Sequence, residues 1–226
     1  MEKVIIFGNG RWAETVYICL THDSPYEVAA FTVDPEYIQE PKLLGLDVIS
    51  FAKVESVFPP SAYKMFLPLS YQRMNRLREE KYLQAKEKGY QFITYVSSRC
   101  TIWPEVTIGE NCWVADQALI YPFTQIGNNV PIGAGALIGH HSVIKDHSFI
   151  APGVVILGGV TVEPYCFIGA NSTIKEGVTI ARECLLGAGV TIVKDTEERG
   201  VYLNSSPEKL PKSSDELRTW LSWLPR

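Results

Sequence analysis

The 226-residue sequence predicts two architectures in one chain: a small parallel α/β sheet over 1–95 and a parallel β-helix over 96–197. A short extension, 198–226, follows and carries an amphipathic helix. Two observations carry this reading. Before residue 96, short apolar runs alternate with helix-like segments, the pattern of strands joined by helical crossovers. After it, an aliphatic residue returns every six positions, without insertion, from Val96 to Ile192.

Lys3–Phe7 is a buried strand, followed by Gly8-Asn9-Gly10 and a helix over about Trp12–Leu20. Glu27–Val33 is a second strand ending at Asp34, and Val48–Ile49 a third. Phe51–Phe58 reads as a short helix stopped by Pro59-Pro60, and Lys64–Leu69 as another strand. Tyr71–Lys88 is a charged amphipathic helix closed by Gly89, and Gln91–Val96 is a strand running into the repeat. Gly8-x-Gly10-x-x-Ala13, after a strand and opening a helix, is the dinucleotide-type fingerprint of a Rossmann-like sheet. Glycines let the backbone approach phosphate, a helix N-terminus favours anions, and a carboxylate such as Asp34 accepts ribose or base donors. Gly8, Asn9, Gly10, Arg11 and Asp34 are therefore candidate binding residues. The domain is too short for a full two-halved dinucleotide fold. A plain strand–helix turn, with Asp34 in a loop and Arg11 solvated, is the simpler alternative.

The repeat is more specific. Stepping by six from Val96 gives seventeen aliphatic residues in a row. Four residues after each stands a small or β-branched residue, among them Cys100, Cys112, Cys166 and Cys184. The position after the aliphatic is often glycine, as at Gly109, Gly127, Gly133, Gly139, Gly169 and Gly187, where a tight corner needs backbone freedom. This is the hexapeptide repeat of a parallel β-helix. Its spacing resembles the left-handed form, with three flat faces and one hexad per face. Three hexads make an 18-residue coil, so the prism is roughly 27 Å long at about 4.8 Å per stacked strand. The left hand is taken from that resemblance, since it runs against the usual crossover rule. The register also accounts for the cysteines as buried packing residues, with Cys166 and Cys184 stacked one coil apart.

Composition excludes other classes. The net charge is −4, which argues against a generic nucleic-acid surface. No run of 18 apolar residues exists, so no membrane span is expected. Met1–Phe7 lacks the features of a signal peptide, and a cytoplasmic protein is expected. In the extension, Ser213-x-x-Glu216 matches a capping box before Leu217, Trp220, Leu221 and Leu224, one apolar helical stripe.

Three of the four histidines lie close together: His140, His141 and His147. The repeat does not need histidine for packing. His140 and His141 fall at the third and fourth hexad positions, where side chains project outward. Each is weighed against an ordinary solvated histidine, and His140 departs furthest from it. No histidine precedes His140 in the prism, and no metal is expected.

These residues together resemble the sialic acid O-acetyltransferase / nucleotide-sugar N-acetyltransferase family. The resemblance covers about residues 3–210. It rests on Ile6–Gly10, Val33-Asp34, Ile138–Ile144, Ile150-Ala151-Pro152-Gly153 and Gly158-Gly159-Val160. Gly200-Val201-Tyr202 with Pro207-Glu208-Lys209 looks like a degraded form of the family's exit motif. The resemblance implies a homotrimer that transfers an acetyl group from acetyl-CoA to an amino or hydroxyl group of a nucleotide-linked sugar for surface polysaccharide. It implies His140 as general base, with His141 where the family often has an acid. Phe149 stands where the family often has a second, cofactor-touching histidine. Gly158 stacks one coil above His140, where a missing side chain admits the thioester. Ala170 and Ala188 match backbone contacts of the cofactor, which the family binds between adjacent prisms. A free sugar such as sialic acid as acceptor, and a non-catalytic scaffold, are the alternative readings.

Overall fold

The computed structural model describes residues 1–204 and Lys209. The capping box and apolar stripe of the extension, and Pro207 and Glu208 of the exit motif, lie outside the described residues. No helix among the described residues is long and apolar enough to cross a membrane.

The N-terminal part is a five-stranded sheet. Its elements are β1 (Glu2–Phe7), α1 (Arg11–Asp23), β2 (Tyr26–Val33), β3 (Lys42–Leu43), β4 (Leu46–Ser50), α2 (Val54–Val57), β5 (Tyr63–Phe66) and α3 (Arg76–Glu87). Strand order is β3-β4-β2-β1-β5, parallel except for the β3–β4 hairpin, which the sequence reading does not include. β1 lies between β2 and β5 and is apolar on both faces, as parallel strands covered on both sides must be. Val4 and Ile6 pack towards α1 with Val16 and Leu20, while Ile5 and Phe7 pack towards α3 with Tyr82 and Ala85.

Two element boundaries differ from expectation. The helix expected from Tyr71 begins at Arg76, because Arg73, Met74 and Asn75 all take positive φ (50°, 50° and 66°). The Asn75 side chain is buried and donates to the Cys166 carbonyl at 3.2 Å, which ties this turn to the prism. The expected strand 91–96 is extended only at Tyr95–Val96, with a single bridge from Phe92 to Met65.

From Tyr95 the chain winds as a left-handed parallel β-helix. Its three faces are sheets of seven, six and five two-residue strands, beginning at 95–96, 101–102 and 107–108 respectively. Strands on a face are 18 residues apart and in register up to 192, as where Ile120 pairs with Ile138 and Ile138 with Ile156; the last strand, 201–202, pairs with 185–186 at a spacing of 16. The aliphatic ladder is buried throughout from Val114 to Ile192, with Val96, Ile102 and Ile108 partly buried at the open end. Burying each such side chain stabilises by about 1.5–3 kcal/mol, which is what offsets the conformational entropy of a prism made almost entirely of corners.

The corners work differently from the expectation drawn from glycine. Positive φ falls three residues after the aliphatic, at every sixth position from Glu105 to Gly189. The glycines directly after the aliphatic are not among these residues. They are glycine because the next coil passes too close: a Cβ on Gly139 would sit 2.6 Å from the Gly158 nitrogen, and one on Gly169 2.6 Å from the Gly187 carbonyl carbon. The left-handed position often takes Gly or Asn, but Phe123, His141, His147 and Tyr165 also occupy it, against a cost of about 1–2 kcal/mol each.

The small-residue register is also more than packing. Its Ser, Thr and Cys side chains donate to the carbonyl fifteen residues on: Thr124 to Gly139, Ser142 to Leu157, Ser148 to Glu163, Ser172 to Gly187. Cys112 does so to Gly127 and Cys166 to Ala181, both at 3.1 Å. Burial pushes both thiols up to about 12, so they remain S–H donors. These side chains satisfy corner carbonyls that the ladder leaves free.

A polar seam joins the two parts along one corner of the prism. The Arg78 side chain, 1% exposed, donates to the carbonyls of Asn129, His147 and Ser148 in the prism and of Leu69 and Ser70 in the α/β part. Burial holds its guanidinium down to about 9, still charged at neutral pH. Beside it runs a directed ladder. The Leu67 N–H donates to Asn111 Oδ1, Asn111 Nδ2 to Asn129 Oδ1, and Asn129 Nδ2 reaches His147 Nδ1 at 2.9 Å. Because a backbone N–H starts the ladder, His147 Nδ1 must accept.

Two predictions follow from these contacts. Gly169→Ala forces a backbone shift between coils and should destabilise by about 1–3 kcal/mol, seen as a lower thermal midpoint. His147 is held neutral: burial depresses its pKa below the ordinary 6.5, Arg78 and Arg76 add to this, and Glu79 and Asp146 only partly oppose it. The unfolded chain therefore binds the proton first, and stability falls as pH drops below 6.5. The seam carboxylate Glu79 is itself held below 4.5: burial raises it, but hydrogen bonds from Tyr165 and Arg76 prevail. Melting curves between pH 7 and 5 should thus show a declining midpoint in the wild type and a flatter one in His147→Gln.

Candidate functional site: a histidine corner and a glycine-lined cavity

The structure places the candidate residues at two separate loci. The first is the corner that joins strand 137–138 of the six-stranded face to strand 143–144 of the five-stranded face. His140 and His141 form it, and both side chains are exposed. The corner is pinned from both neighbouring coils: the His141 N–H donates to the Pro122 carbonyl at 3.1 Å, and the Gly159 N–H to the His140 carbonyl at 2.8 Å. The His140 ring lies over Gly158, where a Cβ would stand 2.7 Å from Cε1 and 2.8 Å from Nε2. The missing side chain at Gly158 thus seats the imidazole itself, a nearer reason for glycine than room for a ligand.

His140 Nδ1 and His141 Nδ1 are 3.1 Å apart, with the rings nearly perpendicular. One of the two nitrogens carries the hydrogen. With His140 as donor, its Nε2 keeps a free lone pair, the arrangement a base requires. His141 takes φ 57° and rests on the Phe123 ring at 4.8 Å.

The second locus is a cavity of about 550 Å³ in the α/β part. Gly8, Asn9, Gly10 and Asp34 line it, and Arg11 does not. Gly8 needs its φ of +122°, closed to other residues. Gly10 is the N-cap of α1 and has open space where a Cβ would stand. No side chain caps the first-turn amides of α1, so they are free to meet an anion. Asn9 Nδ2 donates to the Tyr37 carbonyl at 2.8 Å and fixes the cavity rim. Asp34 pairs with Lys81 of α3 at 2.7 Å, both largely buried. Lys81 is a cavity cation that reading Tyr71–Lys88 as a charged amphipathic helix did not single out; only the fold brings it to Asp34.

The remaining candidates lie elsewhere. Phe149 packs between the parts, edge-on to Trp12 at 6.1 Å and Tyr71 at 5.5 Å, and stacked on Phe167 at 5.6 Å. Ala170 and Ala188 sit at the corner that joins the seven- and six-stranded faces, not at the corner of His140. His147 is buried in the seam at the third corner. Among the described residues no three His, Cys, Asp or Glu side chains are grouped to hold a metal ion.

Residues 105–140 and 141–176 match the family described as bacterial transferase hexapeptide (six repeats), and 159–194 match the hexapeptide repeat of succinyl-transferase. No curated protein matches the chain in sequence. Among solved structures the chain is similar to the acetyltransferase domain of PglB from Neisseria gonorrhoeae FA1090. There the identity is 19% and the TM-score 0.79, with 90% of this chain and 97% of that one covered. It is similar also to PerB from Caulobacter crescentus in complex with CoA and GDP-perosamine, with 24% identity, TM-score 0.78 and coverage of 89% and 94%. WeeI from Acinetobacter baumannii AYE aligns with 20% identity, TM-score 0.74 and coverage of 88% and 93%. These likenesses span both the α/β part and the prism, and they establish the fold.

Proposed function

We propose that this protein is an acetyl-CoA-dependent acetyltransferase that modifies an amino or hydroxyl group of a nucleotide-linked sugar, with His140 as general base. The observation that carries the proposal is the His140 ring, seated on Gly158 and hydrogen-bonded through Nδ1 to His141. Such a base contributes about 10²–10⁴-fold. His140 Nε2 takes the proton of the acceptor N–H or O–H as that atom bonds to the thioester carbonyl carbon. The carbon–sulfur bond then breaks, and the imidazolium returns the proton to the departing thiolate. His141 accepts the Nδ1 hydrogen bond and fixes the tautomer, and unlike a carboxylate it orients the ring without adding a negative charge.

Gly10 and the α1 amides would receive a diphosphate, and Asp34 a ribose or base donor. The structure of PerB contains CoA and GDP-perosamine together, which supports the same pair of ligand classes here.

The separation of the loci supports a homotrimer. The α/β part packs on the seven-stranded face through Trp12, Phe66 and Tyr71, whereas His140 stands on the corner between the other two faces. A sugar held in the cavity would reach a neighbouring chain's His140. Likewise, a cofactor touching Gly158 of one prism and Ala170 and Ala188 of another would lie between copies. Cytoplasm is the compartment that supplies both substrates.

A free-thiol release assay with acetyl-CoA and a panel of UDP-, GDP- and dTDP-linked amino sugars tests the proposal. Release with at least one acceptor is expected. His140→Ala should lower it by roughly 10²-fold or more while leaving the thermal midpoint within a few degrees. No release across the panel, or release indifferent to His140→Ala, would overturn it.

A further inference from the structure

We infer that Phe123 is the apolar wall of the acceptor subsite, on which the pyranose ring of the sugar lies while His140 takes its proton. The inference rests on the reading of His140 as base. Phe123 stands one coil before His141 on the same corner and touches its ring. Its φ of 62° is the one every hexad from 105 to 189 takes at this position, exposed Glu105 and Gln117 included, so what needs explaining is an aromatic residue there. Elsewhere in the prism such residues use their rings in the fold. Tyr165 and His147 hold left-handed corners too, but both are buried in the seam and stack on each other at 5.2 Å. Phe123 is 51% exposed, and burial within the chain does not account for it. A half-exposed aromatic ring held against the partner of a candidate base points to a ligand.

The corner itself says which ligand belongs on which side. Its left-handed positions run Glu105, Phe123, His141, Gly159 and Gly177. Beyond His141 the left-handed positions are glycine, with open space at Gly159 and Gly177, which suits an extended acyl donor approaching along the backbone, and Lys175 and Glu176 precede the second of them. Before His141 it is aromatic: Phe123, and then Tyr121, stacked on Trp103 with an interplanar angle of 13°. A pyranose presents a face of C–H groups that packs on an aromatic ring, while its polar edge stays free to meet the imidazole. Donor and acceptor thus approach His140 from opposite coils.

The test uses the full-length protein with Phe123→Asn and Phe123→Tyr. Asparagine tolerates positive φ, so the first variant should fold with an unchanged or higher thermal midpoint. It should raise the acceptor KM by roughly tenfold or more, leave the KM for acetyl-CoA within about twofold, and keep the wild-type mass by light scattering. Phe123→Tyr should keep the wild-type acceptor KM. An unchanged acceptor KM in Phe123→Asn overturns the inference. So does a fall in mass, which would make the ring a contact between copies, or a change confined to acetyl-CoA. Wild-type protein that releases no thiol with any acceptor overturns the functional reading and this inference with it, an outcome distinct from an active wild type that is indifferent to Phe123.

Discussion

Everything in this molecule depends on the registry of one 18-residue coil on the next. Because each aliphatic rests on the residue 18 positions before it, every other position also acquires a fixed neighbour at that spacing. A corner therefore becomes a column of side chains at constant separation. Gly158 lies against His140 for this reason, and Phe123 against His141. The ladder that holds the prism together is also what brings the candidate base to its neighbours, so core and site share one constraint.

The three corners have been put to different uses. One is tied to the α/β part by a buried guanidinium and a directed amide ladder. Its charge is met by main-chain carbonyls instead of a carboxylate, so the hydrogen bonds must be complete for the seam to be stable. Two of those carbonyls, from Leu69 and Ser70, belong to residues that also line the cavity. The cavity wall is thus fixed to the prism through Arg78. A second corner presents the histidine pair with glycine at the left-handed positions on one side and aromatic rings on the other. The third carries Ala170 and Ala188. No single chain brings these surfaces together, and the stacking rule explains why: a residue can move to another corner only by breaking the period of six.

Much of this was legible in the sequence. The unbroken aliphatic period announces the prism, and Gly8-x-Gly10 before a helix announces the cavity, since both are local patterns with a direct steric meaning. What was not legible depends on contacts between coils or between parts. Glycine after the aliphatic looks like a residue needed for positive φ, but it answers to the backbone of the next coil. The cysteines look like filler, but they donate to carbonyls fifteen residues on. His147 looks like a third member of an exposed cluster, but the period sends it to a different corner and buries it. Lys81 sits among other charges on an amphipathic helix and is set apart only by the fold. Arg11, inside the fingerprint, is exposed at the first residue of α1 and does not line the cavity.

The central claim is that a cavity on one chain serves a histidine on its neighbour. Mixed oligomers test it most directly. One chain would carry His140→Ala and keep its cavity. The other would carry Gly10→Asp, which suits a helix N-cap but sets a carboxylate against the incoming phosphate. Each variant alone should be nearly inactive, and hybrids assembled from both should recover thiol release. Hybrids as inactive as their parents would contradict the account.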